Sequence, residues 1–263
     1  MIPFDSETLS RLVSDFFWPL VRLLALFSTA PIFGEKQMPI KIKIGLALVI
    51  TALLVQSIPS PQIPIFSVVG IWVLIQQILI GMALGLTMQI AFAVVRHAGE
   101  ILGLQMGLSF ATFFDPTGGP NMPILARILN MLMILLFLAF DGHLWLLSIL
   151  ADTFYSIPIQ SAQLNPKGFL LLAQSASLIF VNGMMLAMPM ITLLLVLNFA
   201  LGMLNRMTPQ LSVFVVGFPL TLTVGIFTLS LLIPVLVPFT ERLFGEMFDR
   251  LAVIINEMVL YTQ

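Results

Sequence analysis

The chain has 263 residues, of which 59% are hydrophobic and only 9% charged, with a formal net charge of -1 and a mean hydropathy of +1.10; soluble domains carry about a quarter charged residues. That composition places the chain in a membrane, and the near-zero charge, with 11 basic residues forming no patch, excludes a nucleic-acid partner. Zero cysteines exclude disulfides, thiolate metal sites and thiol nucleophiles together.

The start, MIPFDSETLSRLVSDFFWPL, carries acidic residues where a secretory signal would be basic, so no cleavable leader is expected. About six apolar segments follow: Leu12 to Pro31, Ile40 to Ile58, Phe66 to Val95, Ile124 to Leu150, Phe169 to Leu204 and Leu211 to Phe239. No Asp, Glu, Lys or Arg occurs from Ile44 to Val95, from Gly168 to Asn205 or from Met207 to Thr240. Pro31 to Pro39, the trio Pro59, Pro61 and Pro64, and Asn205 to Pro209 punctuate the series. Beyond it, Glu241 to Gln263 has the periodic charge of an amphipathic helix. The fold class expected is therefore all-α integral membrane protein.

Some segments are too long for simple spans. One helix from Phe66 to Phe110 would reach roughly 68 Å, about twice the hydrocarbon thickness. Such helices either break, as Pro189 and Gly217-Phe218-Pro219 would allow, or project beyond the bilayer against other protein. Lys36, Lys41 and Lys43, with Arg96, Arg127 and Arg206, favour cytoplasmic placement of their loops, which puts both termini outside.

Two glycine sets, Gly81 with Gly85 and Gly99 with Gly103 and Gly107, fall at four-residue spacing. Each lies on one helical face, where a second backbone can approach closely, from another subunit or from within the chain. Arg96 and Glu100 are placed to pair along a helix, and Asp15 lies four residues from Arg11 and seven from Arg22. Charges in apolar segments are expensive and face a bundle interior or water. Arg22, Arg96, Glu100, Arg127 and Arg206 are the candidate buried or interface charges. They read either as a polar conduit or as pairs that fix helix register.

Enzyme chemistry has little to stand on. Gly107-Leu108-Ser109-Phe110 is three-quarters of an intramembrane serine-protease pattern, but the fourth glycine is Phe110. No HExxH, carboxylate cluster or phosphate-cradling loop occurs. No catalytic residue, metal ligand or cofactor is expected. A secondary transporter would need inverted repeats and a polar midplane site, of which the prolines at 189 and 219 give only a hint.

The segment Gly103 to Pro123, GLQMGLSFATFFDPTGGPNMP, interrupts the helices. Asp115-Pro116, Gly118-Gly119-Pro120 and Pro123 forbid continuous helix, while Phe110, Phe113 and Phe114 make a poor solvated loop. Non-helical backbone at membrane depth must be buried in protein or line a cavity. A plug or constriction fits, bracketed by Met106 and Met122.

The runs LQMGLSFATFFDP (Leu104 to Pro116), NMPILAR (Asn121 to Arg127), LGMLNRMTPQLSVFVVG (Leu201 to Gly217) and the FPLTLTVG that follows it closely resemble the FliR family of the bacterial type III export gate. FWPLVRLLALFSTAPIF from Phe16 and QQILIGMALG from Gln76 are similar too. The resemblance implies bent helical hairpins within a helical, conical gate, one copy assembling with FliP and FliQ subunits beside FlhB and FlhA. Unfolded flagellar proteins would be the cargo. It implies a FliP-like part over 1-160 and a FliQ-like hairpin plus tail over 161-263. The setting would be the flagellar basal body in the bacterial inner membrane, part of it above the membrane on the periplasmic side. The loop from Met106 to Met122, with Phe110, Phe113, Phe114, Asp115 and Pro116, would plug the closed channel. The injectisome counterpart shares this architecture and stays open as an alternative.

Overall fold

The computed structural model describes residues 6–35, 38–59, 61, 63–108, 123–160, 163–208 and 213–259, with backbone alone at 6–11 and 213–216. Among them every regular element is helical: α1 (Ser6–Thr29), α2 (Ile40–Leu54), α3 (Val68–Gln105), α4 (Ile124–Ala139), α5 (Gly142–Ser156), α6 (Pro166–Ser175), α7 (Ser177–Met207) and α8 (Val213–Met258).

The boundaries follow from local chemistry. α1 stops before Pro31, and Ile32 takes a positive φ of 68° in the turn. α2 opens after Pro39, a residue that cannot donate a backbone bond anyway. Ser67 caps α3, its Oγ accepting from the Gly70 amide at 2.9 Å. Asn165 caps α6 by accepting from the Lys167 amide at 3.1 Å, and Pro166 sits at the first helical position, where its missing N–H costs nothing.

α3 ends at a glycine. Gly107 has φ 79°, its N–H donates to Leu104 O at 3.0 Å and the Leu108 N–H reaches Gly103 O at 3.0 Å. This is the paired bonding of a Schellman stop, whose left-handed position a glycine fills without strain.

The span count differs from the sequence expectation. Among the described residues, Leu12–Thr29, Val68–Gln105, Pro166–Met207 and Gly217–Met258 are long and apolar enough to cross a membrane, and the pair α4 and α5 adds a broken fifth. α2 has only 15 residues, about 22 Å of rise, which falls short of the hydrocarbon core. The segment expected as Ile124 to Leu150 is broken at Phe140-Asp141, where Asp141 adopts φ 55°.

Of the two readings left open for the overlong segments, a break at Pro189 or Pro219 is not the one adopted. α7 runs through Pro189, and α8 runs through Pro219, Pro234 and Pro238 to join the expected apolar segment and the C-terminal amphipathic stretch in one 46-residue helix. In apolar surroundings an open helix end would leave polar groups without water, so a continuous helix missing single bonds is the cheaper arrangement. Hydroxyls obey the same constraint: Thr192, Thr223 and Thr228 donate to the carbonyls of Met188, Pro219 and Val224, one turn back.

The chain groups into two compact units. The first contains 1–89, 141–175 and 246–263. Its core joins Trp18, Leu23, Leu26 and Phe27 of α1, Val73, Ile80 and Leu84 of α3, Leu146, Leu150 and Phe154 of α5, and Leu251, Ile254 and Met258 of α8. The second contains 90–140 and 176–245. There Phe92, Phe137, Phe140 and Phe244 make edge and tilted ring contacts with centroids 5.2–6.5 Å apart.

Candidate functional site

Within the first unit, α1 presents Ser14, Trp18, Arg22 and Leu26 at four-residue spacing, all of them buried. The Ser14 Oγ donates to Ile63 O at 2.8 Å and the Trp18 indole N–H donates to Ser14 Oγ at 3.0 Å, tying α1 to the chain that leads into α3. One turn further, Arg22 is fully enclosed. Its Nε donates to Gln77 Oε1 at 2.7 Å, its Nη1 to Thr153 Oγ1 at 3.0 Å and its Nη2 to Ile157 O at 3.0 Å. The guanidinium carbon lies 4.2 Å from the centroid of the Phe154 ring.

These hydrogen-bond partners are neutral. The sequence spacing suggested a carboxylate on the same helix, Asp15, but the bonds run to α3 and to the end of α5. Ile157 follows the last residue of α5, and no basic residue stands in that helix's own last turn. A helix C-terminus carries unpaired carbonyls and about half a negative charge. Arg22 supplies from α1 the cation that the last turn of α5 lacks, and the dipole of α5 supplies a counter-charge that no carboxylate among the described residues gives Arg22. An arginine suits the position because its planar fork reaches divergent acceptors and stacks on a ring together. Beside this node, Gln76, Gln77, Ser156, Gln160 and Met258 line a cavity of about 150 Å³ with no charged residue in its wall.

Gly81 and Gly85 serve the same seam. A methyl built at Gly81 would collide with Arg22 O and lie 2.8 Å from Ala25 Cβ, and one at Gly85 would collide with the Thr29 hydroxyl and lie 2.8 Å from Ala30 N. Their close approach is to α1 of the same chain.

In the second unit the two ends of the 103–123 segment are held differently. A methyl at Gly99 would lie 2.5 Å from Ala126 Cα and 2.9 Å from Ala126 N, so the end of α3 and the start of α4 meet backbone to backbone. Gly103 is roomier, its nearest contacts being Leu125 Cβ and Pro123 Cβ at 3.9 Å. Met106 is buried against Gly225 of α8, where an added methyl would meet Met106 Cε at 2.6 Å, Cγ at 2.7 Å and Sδ at 3.0 Å. Gly107 lies past the end of α3 as its cap.

The remaining candidates are scattered. Phe110, Phe113, Phe114, Asp115, Pro116 and Met122, like Ser109, lie outside the described residues. Arg96 is half-buried on α3 and Glu100 exposed one turn on, while Arg127 and Arg206 are exposed. Sequence reasoning missed Gln77, Thr153, Gly225 and the Asn165 cap. The Asn165-Pro166 pair could have disclosed the last, but nothing in the spacing of the others marks them.

Long apolar helices, with no strand among the described residues, define an all-α integral membrane protein. Comparison with known proteins narrows the class. The family model for bacterial export proteins, family 1, matches residues 13–247, and the chain belongs to that family. It is 61% identical to the flagellar biosynthetic protein FliR of Pectobacterium carotovorum subsp. carotovorum, over 98% of this chain and 99% of the relative. It is 58% identical to the FliR of Escherichia coli strain K12, over 99% and 100%. It is 29% identical to the FliR of Bacillus subtilis strain 168, over 88% and 90%. Membership of an export family sets the hydrolase reading aside.

Proposed function

We propose that this chain is a membrane subunit of the flagellar protein export gate, without chemistry of its own. The observation that carries this is likeness along nearly the whole chain to flagellar relatives at 61% and 58% identity. The same likeness favours the flagellar branch over the injectisome. The reading places the chain in the bacterial inner membrane at the flagellar base, in an assembly with FliP and FliQ beside FlhB and FlhA, passing unfolded flagellar proteins. A division near Gln160 into FliP-like and FliQ-like parts, periplasmic termini and a portion of the assembly above the membrane belong to it.

Assembly has physical support. The apolar window in α6 and α7 is 22% buried and that in α8 28%, against 67% for α3, which leaves long apolar faces for lipid and neighbouring subunits. The glycine seams, by contrast, are spent on packing within the chain.

The proposed mechanism is occlusion. The loop from Met106 to Met122, with Phe110, Phe113 and Phe114 as filling and Asp115-Pro116 turning the chain, obstructs the lumen at rest and moves aside for cargo. Its flanks are built for that duty, one ending in a glycine cap and the other fixed to α3 at Gly99. Removing residues 109–122 and measuring ion permeability of the assembled gate, with assembly verified by co-purification, tests this. A raised leak is expected, and an unchanged leak refutes the plug.

A further inference from the structure

The contacts at the two ends of the plug segment differ in kind. At Gly99 the atoms that would obstruct a side chain belong to the backbone and Cβ of Ala126, so nothing there can move without shifting a helix. At Gly225 all three obstructing atoms are the Cγ, Sδ and Cε of Met106. Met106 is the last residue before the left-handed Gly107, so its seat on α8 fixes where α3 stops and where the loop begins.

We infer that Met106 seated on Gly225 is a release latch for the end of α3, engaged in the resting gate and withdrawn during transport; this rests on the plug reading above. The contact is made by shape. Met106 is 1% exposed, and its thioether offers only weak hydrogen bonding, so little beyond dispersion and burial opposes departure. A methionine has several rotatable bonds and repacks easily, so it can leave without bending α8. Glycine within a helix is less favourable than alanine, and at 225 it gives up that stability to open the space the side chain fills. The opposite end, with backbone against backbone, is the fixed hinge.

The chain contains no cysteine, so the pair Met106→Cys with Gly225→Cys would hold its only thiols. In cells that depend on this chain for flagellar secretion, oxidation of the double variant is expected to cross-link 106 to 225 and stop secretion. Reductant is expected to restore it. Gly225→Ala works in the other direction: it expels Met106 while favouring the helix, so the resting ion leak rises several-fold at unchanged protein level.

Failure of the cross-link to form, or secretion as in the parent while the cross-link is complete, overturns the latch. A Gly225→Ala gate as tight as the parent, when removal of 109–122 leaks, overturns the latch and leaves the plug standing. If removal of 109–122 does not leak, the plug reading has failed, and the reductant-reversible block still decides whether the contact must open.

Discussion

Replacing Arg22 tests whether a single cation holds three helices of the first unit together. Arg22→Met keeps the length and burial of the side chain but removes the donors to Gln77 Oε1, Thr153 Oγ1 and Ile157 O. Thr153 Oγ1 retains its own bond to Leu150 O, so two acceptors are orphaned in an enclosed site. At roughly 1–3 kcal/mol for each buried unsatisfied group, the gross loss is about 2–6 kcal/mol. Removing the buried cation recovers part of its desolvation penalty, which brings the net loss to about 1–4 kcal/mol. Arg22→Lys keeps the charge near the C-terminus of α5 but cannot bridge three divergent acceptors or stack flat on Phe154, and falls between. The assay is the midpoint of thermal unfolding of the purified chain in a mild detergent, expected in the order parent, Arg22→Lys, Arg22→Met. Gln77→Leu should lose most of its effect in the Arg22→Met background, since the two share a bond. A midpoint for Arg22→Met equal to or above the parent refutes the reasoning.

Two further expectations follow from packing. Gly99→Ala should reduce the amount of folded chain in membranes, because Ala126 backbone atoms stand at 2.5 and 2.9 Å, whereas Gly103→Ala, with its nearest contacts at 3.9 Å, should leave it unchanged; immunoblots after alkaline extraction compare them. Truncation from Glu241 onward should lower folded protein and co-purified partner alike, since Leu251, Ile254 and Met258 belong to the core of the first unit. Normal accumulation and normal assembly of the truncated chain would contradict that.

Helical class and overlong elements were legible from charge-free runs alone, since no soluble domain keeps so many residues uncharged. The close backbone seams at Gly81, Gly85 and Gly99 could be read from four-residue spacing, although spacing cannot say which helix answers. The prolines at 189 and 219 left two readings open, a broken helix or one that runs on, and α7 and α8 run on through them. The break at Asp141-Gly142 carried a turn signal, but a continuous apolar run on both sides masked it. Arg22 shows the deeper limit. A search along its own helix finds Asp15, while its actual acceptors lie 55, 131 and 135 residues away and are neutral. A helix dipole has no letter in the sequence. For the proposed plug, residues 109–122, the reading comes from the sequence and its family resemblance, and the structure describes only the residues on either side.

The export role itself is tested most directly by replacement in a related cell. An Escherichia coli K12 strain lacking its own FliR, to which this chain is 58% identical, would be supplied with this chain at normal membrane levels, and secreted flagellin would be measured. Restored secretion and swimming are the predicted result. Full insertion of the chain in the membrane at normal levels with no flagellin outside the cell would contradict the account.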